Sequence, residues 1–218
     1  MIRRFDSVHA TLDEWRPTDH AGVEVLMEVP DDLGAILRSS TAFAPSAEQR
    51  SLAVAQVLKQ MESFDPRGPA KNFPVIDDDS EFFTGLYAAF VRLCDVIVGP
   101  FDLAPDNSPT CWALCVNKET INLPFHNHQR TAHVNGVYYL ELPQTRASEG
   151  GLLVRSVDGS VSRIAPRTGD LMIFDPSVDD APELVSSPQS RISINVELMV
   201  NDAAEIRTRL GNLARRQS

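Results

Sequence analysis

The sequence is poor in cysteine and in long apolar runs, and each shortage excludes a class of protein. Its three cysteines, Cys94, Cys111 and Cys115, are too few and too irregularly spaced for a disulfide framework, so we expect buried, reduced thiols. No segment approaches the ~20 apolar residues of a membrane span, and the N-terminus lacks the apolar run of a signal peptide. The sequence therefore predicts a cytoplasmic protein with no membrane partner.

The chain also lacks an excess of positive charge. Thirty acidic residues stand against 20 Lys and Arg, which gives a formal net charge of -10. A chain of this charge repels nucleic acid unless its basic residues gather on one face, and the Arg3-Arg4 and Arg215-Arg216 pairs are too small for that. We therefore expect a small-molecule substrate and no nucleic-acid partner. A homodimer is compatible with the sequence.

Helical patterns dominate the first half of the chain. Ala47–Ser63 has the apolar spacing of an amphipathic helix, and a second helix is predicted after Ser80, a favourable N-cap. Upstream of these, Val23–Val29 predicts a strand, and a short helical stretch is expected to end at Leu37. We therefore expect residues 1–108 to form a mainly helical support region.

From residue 109 onward, short apolar runs alternate with turn residues. The predicted strands are Thr110–Val116, Gly136–Leu142, Leu152–Val157, Val161–Ile164, Leu171–Phe174 and Ile192–Val200. Short apolar runs separated by turn residues are typical of an antiparallel sandwich or barrel. A final amphipathic stretch, capped by Asp202, predicts a C-terminal helix within residues 201–218. The expected fold is one integrated α+β domain with its sheet core in residues 109–200.

Histidine is concentrated in one short segment, where His126, His128 and His133 fall within eight residues. Side chains two residues apart on a strand project to the same face, so His126 and His128 offer two neighbouring ligands to a metal. Imidazole suits Fe(II), Zn and Cu alike, and a structural role for both histidines is the alternative. His133 lies in the following loop, where it either lines a substrate mouth or is simply exposed.

Five motifs follow one another in the second half of the chain. They are His126-Asn127-His128, Val137-Tyr138-Tyr139-Leu140, Gly150-Gly151-Leu152, Gly169-Asp170-Leu171 with the residues up to Pro176, and Arg191-Ile192-Ser193. This ordered series resembles the core of the 2-oxoglutarate and Fe(II) dependent oxygenases, especially their prolyl-hydroxylase-like branch. The resemblance implies a double-stranded β-helix, a jelly-roll or cupin-like core, buttressed by the N-terminal helices.

The resemblance assigns roles to four residues. His126 corresponds to the first histidine of the family's metal-binding HxD pair. Tyr139 and Arg191 correspond to residues that bind the distal carboxylate of 2-oxoglutarate, and Ser193 adds a hydroxyl on the same strand face. The chemistry agrees, because a guanidinium fork matches a carboxylate in plane and residues two apart on a strand share a face. A surface arginine at the start of a strand is the alternative for Arg191.

Two positions depart from the family's pattern. His128 stands where the family has a carboxylate ligand, and no histidine follows the 126–133 segment to serve as the distal ligand. We expect Asp180, eleven residues before the arginine, in the distal place, with Asp179 as the alternative. The metal ligands then become His126, His128 and Asp180, which is still two histidines and one carboxylate. Acidic residues in a solvated turn are the competing interpretation.

The resemblance implies an enzyme, a dioxygenase that uses Fe(II), 2-oxoglutarate and O2 to hydroxylate an unactivated C–H bond. Two histidines and one carboxylate leave metal positions open for a bidentate 2-oxo acid and for O2. In such an enzyme the protein positions the reactants and excludes water, while metal and co-substrate carry the oxidation. A free or carrier-bound amino acid or a natural-product intermediate is the expected kind of substrate.

Three other interpretations remain open at the level of sequence. The first keeps the fold without the reaction, as a degenerate homologue that binds a small acid or a partner. The second is a cupin-like metalloenzyme that does not use 2-oxoglutarate. The third, a purely structural or transport module, leaves the pairing of Tyr139 with Arg191 unexplained.

Overall fold

The computed structural model describes residues 23–28, 35–63, 71–75, 80–120, 123–143 and 149–215. These residues contain ten strands and three helices, joined by turns and loops. The strands are β1 (Val23–Glu28), β2 (Ala35–Ser39), β3 (Lys71–Pro74), β4 (Thr110–Val116), β5 (Val134–Glu141), β6 (Leu152–Arg155), β7 (Val161–Ile164), β8 (Leu171–Phe174), β9 (Asp179–Pro182) and β10 (Arg191–Leu198). The helices are α1 (Ala47–Ser63), α2 (Glu81–Val98) and α3 (Ala203–Arg215).

The strands form two antiparallel sheets. Seven of them lie in the order β1-β2-β8-β5-β10-β4-β3, and three lie in the order β7-β6-β9. Strand β10 is an interior strand of the large sheet, hydrogen-bonded to β5 along one edge and to β4 along the other. Because both of its edges are paired, β10 can hold side chains in fixed positions.

The sequence of β10 accounts for its place in the sheet. Its apolar residues Ile192, Ile194 and Val196 alternate with polar ones, so they share one face of the strand. That face packs into the cluster formed with the three helices. Arg191 and Ser193 lie on the opposite face, on the side of the small sheet.

The large sheet is covered by an apolar layer on each side. On the helical side, Phe83 and Phe90 of α2 belong to one buried cluster with Tyr138 of β5. On the other side, Val154 of β6 and Met172 of β8 belong to a second buried cluster, which joins the two sheets. The small sheet therefore closes over the face of the large sheet that carries the polar side of β10.

Helix α2 approaches the large sheet closely at Gly136 of β5. A β-carbon added there would overlap Cε2 and Cζ of Phe90, whose ring is fully buried. We therefore expect Gly136→Ala to lower the free energy of unfolding by about 1–3 kcal/mol, the usual cost of overpacking a core. Urea denaturation followed by circular dichroism measures this change.

Gly85→Ala is the matched control for that substitution. Gly85 lies within α2, and among the described residues a β-carbon added there would meet Phe43, at 3.5 Å, an ordinary contact distance. Alanine is favoured over glycine inside a helix by about 1 kcal/mol, so this variant should be as stable as the wild type or more so. An equal loss of stability in both variants would contradict the packing explanation for Gly136.

The expected α+β arrangement of helices and antiparallel sheets is confirmed. The helical stretch expected to end at Leu37 is wrong within the described residues, since Ala35–Ser39 is strand β2. Leu37 pairs with Ile173 of β8, and this tertiary pairing outweighs the weak local preference for helix. Strands β1, β2 and β3, all from the region expected to be mainly helical, extend both edges of the large sheet.

The predicted helices are present, and their starts differ in detail. Ser80 occupies the N-cap position of α2 but makes no capping hydrogen bond with its side chain. Asp202 does cap α3, since the Glu205 N–H donates to its carboxylate at 3.0 Å. The three cysteines are buried thiols, as expected. Among the described helices, none has both the length and the hydropathy needed to cross a bilayer.

Candidate functional site

The histidine pair is held against β9 by backbone hydrogen bonds. The His126 N–H donates to the Asp180 carbonyl at 3.0 Å, and the Asp180 N–H donates back to the His126 carbonyl at 2.8 Å. The His128 N–H donates to the carbonyl of Pro176 at 2.8 Å. These bonds place the two histidines alongside Asp180, although 54 positions separate His126 from it in the sequence.

The three side chains expected to bind a metal are neighbours in the structure. The ring centroids of His126 and His128 are 5.0 Å apart, and Nε2 of His128 lies 4.0 Å from Oδ1 of Asp180. Asp180 is only 5% exposed, and its Oδ1 has no hydrogen-bond partner among the described residues. Burial raises the pKa of Asp180 to about 6, although the charges of His126 and His128 oppose that rise.

Asp179 points away from this cluster because neighbouring residues of a strand face opposite ways. Its carboxylate accepts hydrogen bonds from Arg155 at 2.7 Å and from the Asn127 side-chain amide at 3.1 Å. Those two hydrogen bonds hold the pKa of Asp179 below its usual value. Of the two aspartates, only Asp180 is therefore beside the histidines with an uncommitted oxygen.

One ring nitrogen of each imidazole lies near an acceptor of its own. Nδ1 of His128 lies 2.8 Å from Oε1 of Glu197, and Nδ1 of His126 lies 3.3 Å from the carbonyl of Pro124. Burial lowers the pKa of His128, but the Glu197 hydrogen bond and the charges of Asp180 and Glu197 together raise it above its ordinary value.

The expected co-substrate residues form a second buried group. Arg191, 1% exposed, donates from Nε to the Gly150 carbonyl and from Nη1 to the Ser193 hydroxyl, both at 2.9 Å. Its guanidinium lies 5.0 Å from the centroid of the Tyr139 ring. Gly150 adopts φ 91°, a conformation that glycine reaches without strain, and this turns its carbonyl toward the arginine.

The Tyr139 hydroxyl is the unusual member of this group. The residue is fully buried, and its hydroxyl lies close to the Arg191 guanidinium but makes no hydrogen bond of ordinary geometry among the described residues. Burial raises the pKa of Tyr139 to about 12, against the opposing influence of Arg191. The hydroxyl is therefore protonated at neutral pH and is a buried donor available to a ligand.

The two groups share one polar region between the sheets. Ser193 lies directly opposite Tyr139 in the pairing of β10 with β5, so the co-substrate residues come from adjacent strands. The positive charge of Arg191 is close enough to lower the pKa of Asp180. In the described part of the chain, however, no three His, Cys, Asp or Glu side chains stand close enough to enclose a metal ion.

The donor set nevertheless fits Fe(II) in its chemistry. Two imidazoles and a carboxylate are the ligands of the facial triad found in non-haem iron oxygenases. Oδ1 of Asp180 is a buried acceptor without a partner, and a cation beside it would supply that partner. His126 is exposed, and exposed side chains change rotamer within nanoseconds, so its imidazole is not locked in one orientation.

Sequence reasoning missed two polar residues on the site side of the large sheet. Glu197 lies on the same face of β10 as Arg191, six positions further along, so the alternation of that strand could have revealed it. Asn135 lies opposite Glu197 on β5; it is fully buried, and neither atom of its side-chain amide has a hydrogen-bond partner among the described residues.

His133, by contrast, lies outside the cluster. Its Nδ1 is 3.0 Å from both the amide nitrogen and the carbonyl oxygen of Val200, and its own N–H donates to the Leu198 carbonyl. These contacts fasten the start of β5 to the end of β10. The interpretation of His133 as part of a substrate mouth is therefore not supported by its contacts.

Comparison with solved structures finds proteins of similar fold, although no family model and no curated protein matches the sequence. A Pseudomonas putida prolyl-4-hydroxylase matches with a TM-score of 0.52 and 16% identity, over 88% of this chain and 98% of that one. HygX from Streptomyces hygroscopicus, solved with nickel and 2-oxoglutarate bound, matches with a TM-score of 0.55 and 14% identity, over 78% and 84%. A Trichoplax adhaerens prolyl hydroxylase, in complex with a hypoxia inducible factor peptide fragment, matches with a TM-score of 0.57 and 14% identity, over 93% and 95%.

Proposed function

We propose that this chain, which has the fold of the 2-oxoglutarate and Fe(II) dependent oxygenases, is itself a 2-oxoglutarate-dependent dioxygenase that hydroxylates a small molecule. Within the proposal, residues 109–200 form a double-stranded β-helix core, and the protein works in the cytoplasm on an amino acid or a natural-product intermediate. The shared fold supports the general reaction class. The specific roles rest on the side chains of the site.

The buried guanidinium of Arg191 is the observation that carries the proposal. Among the described residues it makes hydrogen bonds only to neutral acceptors, the Gly150 carbonyl and the Ser193 hydroxyl. A buried charge without an opposite charge in contact is costly unless a ligand supplies one. A dicarboxylate whose distal end meets Arg191 and the Tyr139 hydroxyl would satisfy both groups with charge-assisted hydrogen bonds.

His126, His128 and Asp180 are the proposed iron ligands. Fe(II), with 2-oxoglutarate and O2, supplies the oxidation, in which the co-substrate loses CO2 to become succinate and a substrate C–H bond becomes C–OH. The chain's own residues do the rest. Asp180 brings the negative charge to the donor set, and the two imidazoles bring neutral nitrogen donors.

The position of the site between the sheets would shield the co-substrate from water while leaving a path for the substrate. Arg191 and Tyr139 are buried, so a carboxylate bound to them is held away from water, where each hydrogen bond is stronger. His126 is exposed, so the histidine end of the site is open to an arriving substrate. The buried end would fix the co-substrate, and the open end would admit the molecule to be oxidised.

Anaerobic titration with Fe(II) and 2-oxoglutarate tests the proposal directly. We expect a weak visible charge-transfer band that appears only when both are added, followed by succinate formation on admission of O2. Succinate is quantified by chromatography, and the same protein with Fe(II) but with succinate in place of 2-oxoglutarate is the control. No band at saturating concentrations of both would show that the chain lacks a competent iron site.

The same titration separates the second candidate function, a homologue that binds a small acid without oxidising anything. The open arrangement of the three metal-ligand candidates favours this alternative. A protein of that kind would bind 2-oxoglutarate, as detected by calorimetry, with an affinity that does not change when Fe(II) is added. An oxygenase would bind it more tightly with metal present, since the 2-oxo acid then gains a chelate.

A further inference from the structure

Glu197 makes contacts that the proposed iron site does not by itself explain. Its Oε1 lies 2.8 Å from Nδ1 of His128 and accepts a hydrogen bond from the Thr131 hydroxyl at 3.2 Å. Thr131 is brought there by a tight turn, in which its N–H donates to the His128 carbonyl at 3.0 Å. The carboxylate therefore holds both the imidazole and the turn that follows it.

The contact with Glu197 selects one tautomer of His128. A carboxylate only accepts hydrogen bonds, so Nδ1 of His128 must carry the proton that it shares with Glu197. In the neutral ring this leaves the lone pair on Nε2, the nitrogen that lies 4.0 Å from Asp180. A metal-binding histidine whose other nitrogen donates to a carboxylate is oriented by that bond and becomes a stronger base.

We propose that Glu197 is a positioning residue that fixes His128 with Nε2 toward the metal, and that this pair is what allows a histidine to replace the family's carboxylate ligand. The proposal rests on the proposed function, because it assumes that His128 binds the metal. It adds a second carboxylate to the site, one that acts through His128 rather than on the metal itself.

The position of Glu197 in the sheet supports this role. Glu197 and Arg191 stand on the same face of β10, at opposite ends of seven consecutive residues paired with β4. A strand bonded on both edges resists displacement, so the carboxylate is held in place by the same strand that carries the co-substrate residue. The side chain of Glu197 is 13% exposed and that of His128 is 11% exposed, so water competes little for their hydrogen bond.

Cobalt titration of the purified full chain tests the proposal, with Co(II) as a spectroscopic probe in the presence of saturating 2-oxoglutarate. We expect Glu197→Gln to weaken Co(II) binding about 10- to 100-fold, the usual effect of losing such an orienting carboxylate. Glu205→Gln is the control, since Glu205 contacts Arg209 on the exposed side of α3 and should leave Co(II) affinity unchanged. Thermal unfolding of each variant checks that both remain folded.

A second pair of variants distinguishes an orienting role from a purely structural one, because it compares the effect of Glu197→Gln on Co(II) affinity in two backgrounds. His128→Asp restores the family's carboxylate but removes the imidazole that Glu197 orients. In that background Glu197→Gln has no imidazole to release, so we expect it to change Co(II) affinity much less than in the wild type. The size of the Glu197→Gln effect therefore reports whether Glu197 acts through His128.

The outcomes distinguish this inference from the proposed function. If the wild type binds Co(II) and Glu197→Gln binds it equally well, the orienting role is overturned while the oxygenase proposal stands. A loss of the same size in both backgrounds would also overturn it, because Glu197 would then act on stability alone. If the wild type itself binds no Co(II) with 2-oxoglutarate present, the proposed function fails, and the orienting role fails with it.

Discussion

Replacement of Arg191 by methionine is expected to abolish measurable 2-oxoglutarate binding while leaving the chain folded. The guanidinium would contribute two charge-assisted hydrogen bonds to the distal carboxylate, each worth about 1.5–3 kcal/mol. Their loss amounts to about 3 kcal/mol or more, which is at least a ~100-fold fall in affinity. Calorimetric titration of 2-oxoglutarate in the presence of Mn(II), which does not turn over, measures it.

The stability of the Arg191→Met variant separates a binding role from a structural one. Methionine fills a similar volume, and the substitution removes a buried charge whose hydrogen bonds go to Gly150 and Ser193. The lost hydrogen bonds and the relieved burial of charge oppose each other, so we expect the free energy of unfolding to change by less than about 2 kcal/mol.

Arg163→Met provides the comparison for this experiment. Arg163 pairs with Glu183 at 2.8 Å on the outer strand of the small sheet, and its loss should leave 2-oxoglutarate affinity unaltered. Unchanged affinity in the Arg191 variant would instead favour the cupin-like metalloenzyme, which has no pocket for a 2-oxo dicarboxylate. Unfolding of the variant would favour a structural arginine.

The two neighbouring aspartates should behave very differently when each is changed to asparagine. Asp180→Asn removes the charge from the proposed donor set, and we expect metal affinity to fall at least ~100-fold. That loss exceeds the usual effect of removing a residue that only hydrogen-bonds to a ligand. Asp179→Asn alters a carboxylate that binds Arg155 and Asn127 instead, and we expect affinity within a few-fold of the wild type.

Metal content after equilibrium dialysis against Fe(II) under anaerobic conditions measures both variants with one protocol. The pair is closely matched, because the residues are adjacent in sequence, identical in type and carried by one short strand. A larger loss with Asp179→Asn would show that Asp179 is the ligand and that the strand shifts when metal binds. Equal, full metal content in both would remove the carboxylate from the site and with it the proposed triad.

The strands that could be predicted are those whose own residues specify them. Thr110–Val116 was predicted with the bounds that the structure has, because its apolar run is bounded by turn residues. Strand β9 was not predicted, since Asp-Asp-Ala-Pro has no strand-forming pattern of its own. It becomes a strand because it pairs with β6 and bridges to His126. These are long-range contacts, which the sequence of the four residues does not specify.

The residues of the candidate site also differ in whether the sequence could identify them. Period-two alternation places Arg191 and Ser193 on one strand face from sequence alone, whereas only the resemblance joined Tyr139 to them; in the structure Tyr139 lies opposite Ser193. Glu197 could not be assigned, since its meaning depends on where the 126–128 segment lies in space. The resemblance also gave no reason to look for it, because a carboxylate ligand at position 128 would repel a second carboxylate.

The backbone bridge between His126 and Asp180 has a consequence for how such proteins are found. Because that bridge brings the segment carrying His128 beside β9, the donor set that we propose would be unchanged if the histidine and the carboxylate stood at each other's position. An exchange between them keeps the number and charge of the donors but removes the HxD sequence motif. Searches that compare the positions of donor atoms across strands, rather than residues along the chain, should therefore find other proteins of this fold in which the two donors are exchanged.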